Sequence, residues 1–448
     1  MWSKLKDWLG TDFMDGFIKL FFGSAFGQIL VFLSGPILAS LYSPDDFGTY
    51  ALMSSVAGLL SVVATGSYEF AIITAKNDGD AETLSVVAML LSVLFSLLTF
   101  VVILLMIVLA IPWGSTLLGF GWLLVPVFVL LQGVFNTSNY FLNRVQRYGA
   151  ISKGRLLRSV SMVATQVSLG FAKHGLGLYI GMLVGHFVAA AFQFRLISRH
   201  IVSGVKSFSL RRAWQVAKQN YRFPLFLMPD QLLNELSVQS PVLLLQAFFS
   251  SSAVGLYALP QKFLSLPVAM VGNSIGQVFF RKAAILSEGT PELSLITRRL
   301  FRFLFWLGVV PFSVLMVFGD AIFELFFGAE WVQSGLYAQL ISPWLLFVLI
   351  GSPLSKLFTV QQRQGQSLVL NASLFCLRVA ALLVGSVAFG SEAIAVGLFA
   401  AVSFFFWVFL AFYNLRLARV GVLPLAIEVV LGWGVTCAAL FMVRLMIL

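Results

Sequence analysis

Residues 83–111 read TLSVVAMLLSVLFSLLTFVVILLMIVLAI, a run without one charged side chain. A helix needs about 20 apolar residues to cross the hydrocarbon core of a bilayer, and barrel strands alternate in polarity. The run therefore predicts a membrane-spanning α-helix. The whole chain has the same character, because 59% of its 448 residues are hydrophobic and 10% are charged. Soluble domains are about 45–50% apolar and about 25% charged, so the composition argues against a soluble enzyme or DNA-binding protein.

Apolar runs of this kind divide the chain into two sets of six predicted spans. The first set covers residues 17–41, 47–75, 83–111, 117–143, 151–173 and 177–199. The second set covers residues 222–249, 254–285, 300–319, 335–360, 366–390 and 392–416, and a further run covers 423–446. We therefore predict an all-α polytopic membrane protein with two six-helix lobes, residues 1–205 and 206–418, around a central cavity. Residues 419–448 are predicted to add one C-terminal hydrophobic helix.

The distribution of Lys and Arg indicates how the chain is oriented. The chain has 29 Lys and Arg against 18 Asp and Glu, which gives a net charge of +11. Nearly all the basic residues of the loops fall in alternate predicted loops, as in the cytoplasmic loops of membrane proteins. The composition predicts a multi-pass inner-membrane protein, and this pattern predicts a cytoplasmic N-terminus. A nucleic-acid site is the weaker explanation of the charge.

A short internal repeat relates the two sets of spans. The segment SPDDFGTYAL at residues 43–52 recurs as SSSAVGLYAL at residues 250–259, with five of ten positions identical and an offset of 207 residues. Each copy lies at the outer turn between the first and second span of its set. Because six is an even number of spans, both copies have the same orientation in the membrane. This is the parallel-repeat plan of transporters whose substrate site lies between two halves.

Two segments resemble a known family. The first contains Pro36, Leu41, Tyr42, Ser43, Pro44, Phe47, Gly48 and Tyr50, and the second contains Tyr68, Glu69, Ala71, Ile72, Lys76 and Ala81. Together they resemble the P-x-x-L-x-x-L-[FY]-S-P-x-x-F-G-x-Y and Y-E-x-A-I segments of the Wzx-type oligosaccharide flippases. These flippases belong to the multidrug/oligosaccharidyl-lipid/polysaccharide exporter superfamily.

The resemblance implies a function and partners. Such a protein moves undecaprenyl-pyrophosphate-linked oligosaccharide repeat units from the cytoplasmic to the periplasmic leaflet by alternating access. The product would serve O-antigen (lipopolysaccharide), capsule or exopolysaccharide assembly, with a polysaccharide polymerase and a chain-length regulator as candidate partners besides the lipid-linked substrate and membrane lipids. The protein would be a transporter and not an enzyme. The alternatives are a small-molecule or drug/cation antiporter of the same superfamily and a membrane enzyme of polysaccharide assembly, the latter disfavoured by short predicted outer loops.

Basic residues inside predicted spans are candidates for binding the pyrophosphate. An ionisable side chain at mid-bilayer costs about 2.5–3.5 kcal/mol on insertion scales, so each needs a functional or structural reason. The candidates are Lys262, Arg378, Arg302 and Lys19. An arginine can bind two phosphate oxygens at once. The structural alternatives are an ion pair, such as Glu235 with Lys262, and extension of the Arg302 side chain to the inner headgroups.

Two spans carry polar stripes that are candidates for binding sugar hydroxyls. Residues three or four positions apart share a helix face, and a polar face is expected to line a cavity rather than contact lipid. The stripe in span seven contains Gln231, Asn234, Glu235 and Gln239, and the stripe in span four contains Gln132, Asn136, Asn139 and Asn143. The alternative is that these amides bond neighbouring spans together.

The remaining candidates are arginines near the inner ends of spans and carboxylates. The arginines that could receive the substrate at the inner mouth are Arg144, Arg155, Arg158, Arg298 and Arg299, although positive-inside topology explains them equally well. The carboxylates that could form a gate or bind a coupling H⁺ or Na⁺ are Glu69, Asp230 and Glu235. We predict no catalytic residue, metal site or cofactor beyond such an ion, because the three histidines are scattered and both cysteines lie in apolar runs.

Overall fold

The computed structural model describes residues 26–109, 120–286, 290–361 and 363–447. Every regular element in these ranges is helical, and ten of the described helices are long and apolar enough to cross a membrane. A helix satisfies its own backbone hydrogen bonds, which a bilayer core requires of any spanning segment. The predicted all-α membrane fold is confirmed.

The first eight described helices are α1 (Phe26–Leu41), α2 (Pro44–Ala64), α3 (Tyr68–Thr74), α4 (Asp78–Val108), α5 (Leu124–Arg144), α6 (Tyr148–Phe171), α7 (Gly177–Lys206) and α8 (Leu210–Gln219). The remaining eight are α9 (Met228–Phe248), α10 (Ser251–Ile285), α11 (Pro291–Phe327), α12 (Val332–Leu354), α13 (Lys356–Val360), α14 (Gln364–Leu383), α15 (Glu392–Leu417) and α16 (Val422–Ile447). Short 3₁₀ or π turns occupy Phe120–Leu123, Phe223–Leu227, Ala329–Trp331 and Val384–Ala388.

The second predicted span, residues 47–75, is two helices rather than one. Between α2 and α3, Gly66 and Ser67 adopt left-handed conformations, with φ of 59° and 57°. A residue other than glycine is uncommon in this conformation, so the interruption is a defined turn. It places Glu69 in the first turn of α3, where the Thr65 hydroxyl from the end of α2 donates a hydrogen bond to its carboxylate.

Two predicted spans form helices that are too polar to count among the ten apolar ones. They are α6, with 24 residues, and α9, with 21 residues, at the predicted spans 151–173 and 222–249. A helix of this composition needs to keep its polar face away from lipid. The most extensive packing of α6 is against its neighbour in sequence, α7, which leaves another face of α6 for a polar environment.

Backbone contacts divide the chain into two compact units. The first unit contains Thr49–Leu236 and the described residues up to Tyr42, and the second contains Ser43–Gly48 and Ser237–Leu448. The boundary thus lies after residue 236, whereas the sequence predicts it after residue 205. The reason is that α8 packs against α4 with Ala213 and Val216 buried. Residues 206–236, which include α8, are therefore part of the first unit.

The C-terminal helix α16 is part of the second unit, whereas the sequence predicts a separate segment at 419–448. It packs along α11, and Arg444 Nη2 lies 2.6 Å from Asp320 Oδ2. Only 6% of its most apolar stretch is buried in the protein. The rest of its surface is left to contact lipid.

The first unit is packed around α2, α5 and α7, which bury Met53, Val129 and Tyr179 in one cluster. A second anchor comes from the first family segment, where the Tyr42 hydroxyl donates to the Gln166 carbonyl oxygen at 2.7 Å. The residue beside that hydroxyl is Gly177, where a Cβ atom would lie 2.1 Å from the hydroxyl oxygen. The absence of a side chain at residue 177 therefore lets Tyr42 reach its partner.

In the second unit the two copies of the internal repeat contact each other. A Cβ atom on Gly48 would lie 1.7 Å from the Ser251 carbonyl oxygen. Likewise, a Cβ atom on Gly255 would lie 1.8 Å from the Pro44 carbonyl oxygen. Ser251 follows Pro44 by the repeat offset of 207 residues, so the contact is reciprocal. Because only glycine permits so close a backbone approach, the contact explains why both copies have glycine at this position.

Candidate functional site

A polar cavity of about 420 Å³ lies within the first unit. It is bounded by side chains of α1, α5 and α6. Its lining residues are Gln28, Gln132, Phe135, Asn136, Asn139, Tyr140, Asn143, Arg155, Arg158 and Ser159. The cavity is large enough for a phosphate-sized group and part of a sugar, because ligand sites generally begin at about 300 Å³.

One wall of the cavity is a row of amides on α5. Gln132, Asn136, Asn139 and Asn143 follow one another at spacings of three or four residues, which puts them on one helix face. Val125 and other apolar residues of α5 are buried in the core of the unit. The amphipathic pattern of α5 therefore fixes the row toward the cavity, and we call these four residues the amide row.

The amide row has hydrogen-bonding capacity that the protein does not use. Gln132 Nε2 donates to Asn136 Oδ1 at 3.1 Å. The side-chain amide oxygens (Oε1) of Gln28 and Gln132 are buried and accept no hydrogen bond from any other described residue. Buried polar atoms nearly always have a partner, from protein, water or ligand. These two oxygens are thus available to hydroxyl or amide donors of a bound molecule.

The part of the lining that α6 provides carries the charge. Arg155 and Arg158 lie one turn apart on α6, with Ser159 beside them, and all three line the cavity. The Arg158 guanidinium lies 5.4 Å from the ring centroid of Phe135, an attractive cation–π geometry. We call Arg155 and Arg158 the arginine pair.

Close helix packing brings the arginine pair to this position. A Cβ atom on Gly154 would lie 2.6 Å from Gln193 Nε2 of α7, and one on Gly27 would lie 2.8 Å from the Ser159 hydroxyl. The two glycines thus let α7 and α1 approach α6 on either side of the cavity face. The arginines are half-buried as a result.

The chemistry of the cavity suits an anion that also carries hydroxyl groups. Among the lining residues that the structure describes, none is a carboxylate, a histidine or a cysteine. In the sequence, no Asp or Glu occurs between Glu82 and Asp230, whereas Lys and Arg occur thirteen times there. Guanidinium groups bind phosphate oxygens through paired hydrogen bonds, and amides both donate to and accept from sugar hydroxyls. The cavity can therefore bind and orient such a ligand.

Four of the predicted site residues meet in this cavity: Asn136 and Asn139, predicted to bind sugar, and Arg155 and Arg158, predicted to lie at the inner mouth. Gln132 and Asn143, from the same predicted stripe, also line it, and the three polar lining residues that the sequence did not predict are Gln28, Tyr140 and Ser159. The one signal in the sequence for Gln28 is an isolated amide in an apolar run. Tyr140 and Ser159 give no such signal.

Arg378, predicted to bind pyrophosphate, is buried in the second unit and is not among the lining residues of this cavity. It is 4% exposed. Its Nε donates to the Ser403 hydroxyl at 2.9 Å and its Nη1 to the Ser237 hydroxyl at 3.1 Å. The rings of Trp344 and Phe399 lie 4.9 and 5.0 Å from the guanidinium carbon. The charge is thus stabilised by the protein itself.

Arg302 is not a cavity residue either. Its Nε lies 2.7 Å from Glu428 Oε2. The Trp306 indole nitrogen donates to the other oxygen of the same carboxylate, Oε1, at 3.1 Å. The partner residue is on α16, so this ion pair attaches the C-terminal helix to α11. Lys262 is half-buried in α10 of the second unit and is not among these lining residues, and Lys19 lies outside the described residues.

Three predicted inner-mouth arginines have other positions. Arg144 Nη1 donates to the carbonyl oxygens of Ile72 and Ala75 at 3.1 and 2.8 Å, and its Nη2 lies 3.1 Å from Asp78. Cations at a helix C-terminus satisfy its last carbonyl groups, so Arg144 caps α3. Arg298 and Arg299 are exposed on α11 of the second unit.

The polar stripe of α9 does not reach the cavity. Asp230 and Asn234 are exposed, and Gln231 and Gln239 are half-buried. The Glu235 carboxylate packs against α2, 3.4 Å from where a Cβ atom of Gly58 would be. None of the five belongs to the described lining of the cavity.

The second unit has a smaller cavity, of about 130 Å³. Its polar lining residues are Ser352, Ser355, Ser367, Asn371 and Trp407. Among the described residues that line it, none is charged. This neutral site lacks the groups that would bind a phosphate.

The chain matches a protein family described as "Polysaccharide biosynthesis protein" over residues 37–335. It is also similar to the capsular polysaccharide biosynthesis protein CapF of Staphylococcus aureus, with 23% identity over 345 residues, which are 75% of this chain and 82% of that protein.

Two solved structures have a similar fold. One is the inward-facing conformation of a multidrug resistance MATE family transporter of the MOP superfamily, with a TM-score of 0.64, 14% identity, and coverage of 88% of this chain and 95% of that one. The other is the lipid II flippase MurJ in an inward closed conformation, with a TM-score of 0.66, 14% identity, and coverage of 89% and 87%. At this identity the shared property is the fold.

Proposed function

The chain belongs to the polysaccharide biosynthesis protein family, and on that premise we propose that it moves a pyrophosphate-linked oligosaccharide across the membrane. The resemblance of the two sequence segments to polysaccharide flippases is confirmed, and the fold is that of multi-pass transporters. The proposal adds the substrate, its direction of movement and the residues that bind it.

The proposal rests mainly on one observation: the arginine pair and the amide row face the same cavity. A lipid-linked oligosaccharide has a diphosphate that loses water on leaving the aqueous phase, and an unpaired buried charge is strongly unfavourable. The two guanidinium groups replace that water at the diphosphate. The amides do the same for the first sugars, while the lipid tail remains in the bilayer.

The proposed substrate is an undecaprenyl-pyrophosphate-linked repeat unit, carried from the cytoplasmic to the periplasmic leaflet of a bacterial inner membrane by alternating access. The orientation follows from the basic loops, which put the N-terminus in the cytoplasm. The similarity to a capsular polysaccharide biosynthesis protein supports a surface polysaccharide as the final product. A polysaccharide polymerase would use the exported unit, and a chain-length regulator would act after it.

A drug or cation antiporter is the second candidate, because one similar fold is that of a multidrug transporter. The lining of the cavity disfavours it. Two guanidinium groups in a site with no described carboxylate repel a cationic substrate.

The test is export in a strain that lacks the gene and carries a plasmid copy. We expect the double variant R155Q/R158Q to lose surface polysaccharide and to accumulate lipid-linked repeat units on the cytoplasmic leaflet. The matched control is R298Q/R299Q, which removes two exposed arginines of the second unit and is expected to export normally. Normal export by R155Q/R158Q at the wild-type protein level would refute the proposal.

A further inference from the structure

Close packing of α7 on α6 fixes the backbone at Arg158, one member of the arginine pair. A Cβ atom on Gly185 of α7 would lie 2.8 Å from the Arg158 carbonyl oxygen. Glycine lets the two helices pack this closely, because any larger residue at 185 would require one of them to shift. The contact fixes where the Arg158 side chain begins. The side chain itself is long and flexible, so a second contact is needed to fix its guanidinium group.

The ring of Phe135 on α5 provides that second contact. The Arg158 guanidinium carbon lies over this ring, 5.4 Å from its centroid, within the distance of about 6 Å that is typical of a cation–π contact. Phe135 is 5% exposed and also lines the cavity. The attraction acts between the positive charge and the electron-rich face of the ring. It therefore holds the guanidinium group without a conventional hydrogen bond.

His186 of α7 fixes the Phe135 ring in turn. The imidazole centroid lies 6.3 Å from that of Phe135 and 4.7 Å from that of Phe128, and both contacts are edge-to-face. His186 is 7% exposed. Its Nδ1 lies 2.8 Å from the Met182 carbonyl oxygen, and since a carbonyl oxygen can only accept, Nδ1 donates. The imidazole thus has a defined orientation, and α5, α6 and α7 together hold one guanidinium group.

We propose that Phe135 is a positioning residue, which holds the Arg158 guanidinium where the diphosphate of the substrate binds. A side chain that is already ordered loses less conformational freedom when the ligand arrives, so the affinity is higher. Phe135 acts on the ligand through Arg158 and not by its own contact. This inference rests on the proposed function and adds the residue that sets the geometry of one phosphate-binding group.

Binding of a short-chain prenyl-pyrophosphoryl hexosamine to the purified full-length protein tests the role of the ring. F135L removes the ring, keeps an apolar side chain, and is expected to bind this ligand about tenfold more weakly than the wild type does. F135Y keeps the ring and is expected to recover most of the affinity.

The matched control is F192L, which removes another aromatic partner of a cation in the first unit. The Phe192 ring centroid lies 5.6 Å from Lys153 Nζ, and neither residue belongs to the described lining of the cavity. F192L is therefore expected to bind the hexosamine ligand as the wild type does. A loss in F192L as large as that in F135L would show that any such substitution weakens binding, and would overturn the inference.

A fluorinated series separates the electrostatic contact from packing. Phenylalanine analogues with one, two or three ring fluorines, incorporated at position 135, withdraw electron density from the ring face and change its size little. The affinity is expected to fall with each fluorine, to about fivefold below that of the wild type for the trifluorinated ring. Melting temperatures are expected to stay nearly constant. Equal affinity across the series would overturn the inference, because packing alone would then explain Phe135.

A double-mutant cycle shows whether Phe135 acts through Arg158. Substitutions of two residues in contact are coupled, whereas substitutions at independent sites add. F135L is expected to cause no further loss of affinity in the R158Q background. In the R155Q background it is expected to cause the same loss, about tenfold, as in the wild type. A full loss from F135L in the R158Q background would overturn the inference.

A ligand without sugar tests the competing role of the ring, which is stacking on a sugar. If Phe135 positions a phosphate-binding group, F135L loses the same factor in affinity for prenyl pyrophosphate as for the hexosamine ligand. A loss confined to the ligand with the sugar would overturn the inference.

The failure of this inference is distinguishable from the failure of the proposed function. If R155Q/R158Q loses binding while the fluorinated series binds as the wild type does, this inference is wrong and the proposed function stands. If the wild type does not bind the hexosamine ligand, the proposed function fails and this inference fails with it. If F135L does not fold, the fluorinated series decides.

Discussion

The arginine pair of the first unit and Arg378 of the second unit have the same side chains but different surroundings. Arg155 and Arg158 line a cavity together with the amide row. Arg378 is enclosed by two serine hydroxyls and two aromatic rings. All three were candidates for ligand binding by sequence. The first two line a polar cavity, whereas the third has its hydrogen bonds within the protein, so we propose ligand binding for the arginine pair alone.

The difference has an energetic basis. An arginine within a bilayer costs about 2.5–3.5 kcal/mol on insertion scales. A hydrogen bond to a charged group contributes about 1.5–3 kcal/mol, and a desolvated cation–π contact about 2 kcal/mol. With two contacts of each kind, Arg378 is stabilised without a ligand. The arginine pair is instead half-buried and lines a polar cavity.

The largest effect is expected from removing the charge of the arginine pair. The ligand for this and the following predictions, called the probe, is a short-chain prenyl-pyrophosphoryl hexosamine. R155Q/R158Q should bind the probe at least about a hundredfold more weakly than the wild type does, because two charged hydrogen-bond groups are lost. Its thermal unfolding should stay near that of the wild type. Isothermal titration and a melting curve on the same preparation measure both quantities.

R155K/R158K sharpens this prediction, since Lys keeps the charge and loses the paired geometry of the guanidinium. We expect an intermediate affinity, about tenfold below that of the wild type. If R155Q/R158Q bound the probe as tightly as the wild type does, the arginine pair would not be part of the binding site.

The next effect is on stability, at Arg378. R378A should lower the free energy of unfolding by about 2–4 kcal/mol, because it leaves a cavity and removes the partners of two buried hydroxyls. The folded fraction should bind the probe as the wild type does. Denaturant unfolding in detergent gives the first quantity, and titration of monodisperse protein gives the second.

R378M is the control, because it keeps most of the side-chain volume and should be destabilised less than R378A. If the R378A protein were stable but bound the probe much more weakly than the wild type does, Arg378 would be a ligand-binding residue and not a structural one.

A smaller effect is expected in the amide row. N136A/N139A should weaken binding of the probe by about tenfold, through lost hydrogen bonds to sugar hydroxyls. Binding of a prenyl pyrophosphate without sugar should change little. Equal losses for both probes would show that the amides do not discriminate the sugar.

The smallest effect is expected at the pair between Arg302 and Glu428. The side chain of Arg302 is 44% exposed, and ion pairs of this kind contribute about 0–1 kcal/mol. A double-mutant cycle with R302A and E428A should give a coupling energy in that range, with normal export by R302A. Loss of export by R302A at the wild-type protein level would instead indicate that Arg302 binds the substrate.

The sequence predicts the helices well because apolar runs mark them directly. Each described predicted span is helical, although span 335–360 divides into α12 and α13 and span 47–75 is interrupted at Gly66 and Ser67. Hydropathy cannot detect that interruption, because both flanking helices are apolar and one left-handed turn changes no composition. The polar face of α5 was also visible, since its amides repeat at helical spacing.

The sequence could not assign the arginines, because their roles depend on residues far along the chain. The hydroxyl partners of Arg378 are 25 and 141 positions away. The carbonyl groups capped by Arg144 are 69 and 72 positions away. Depth in a span is readable from sequence, whereas the direction of a side chain within the folded unit is set by tertiary packing.

The most direct test is to crosslink the ligand in place. A prenyl-pyrophosphoryl sugar with a photoreactive group next to the diphosphate would be irradiated with the wild-type protein, and the modified peptides identified by mass spectrometry. We predict labelling within residues 132–159 of α5 and α6, and its loss on competition with unlabelled probe. Labelling concentrated around Ser237, Arg378 and Ser403, with residues 132–159 unmodified, would contradict the account.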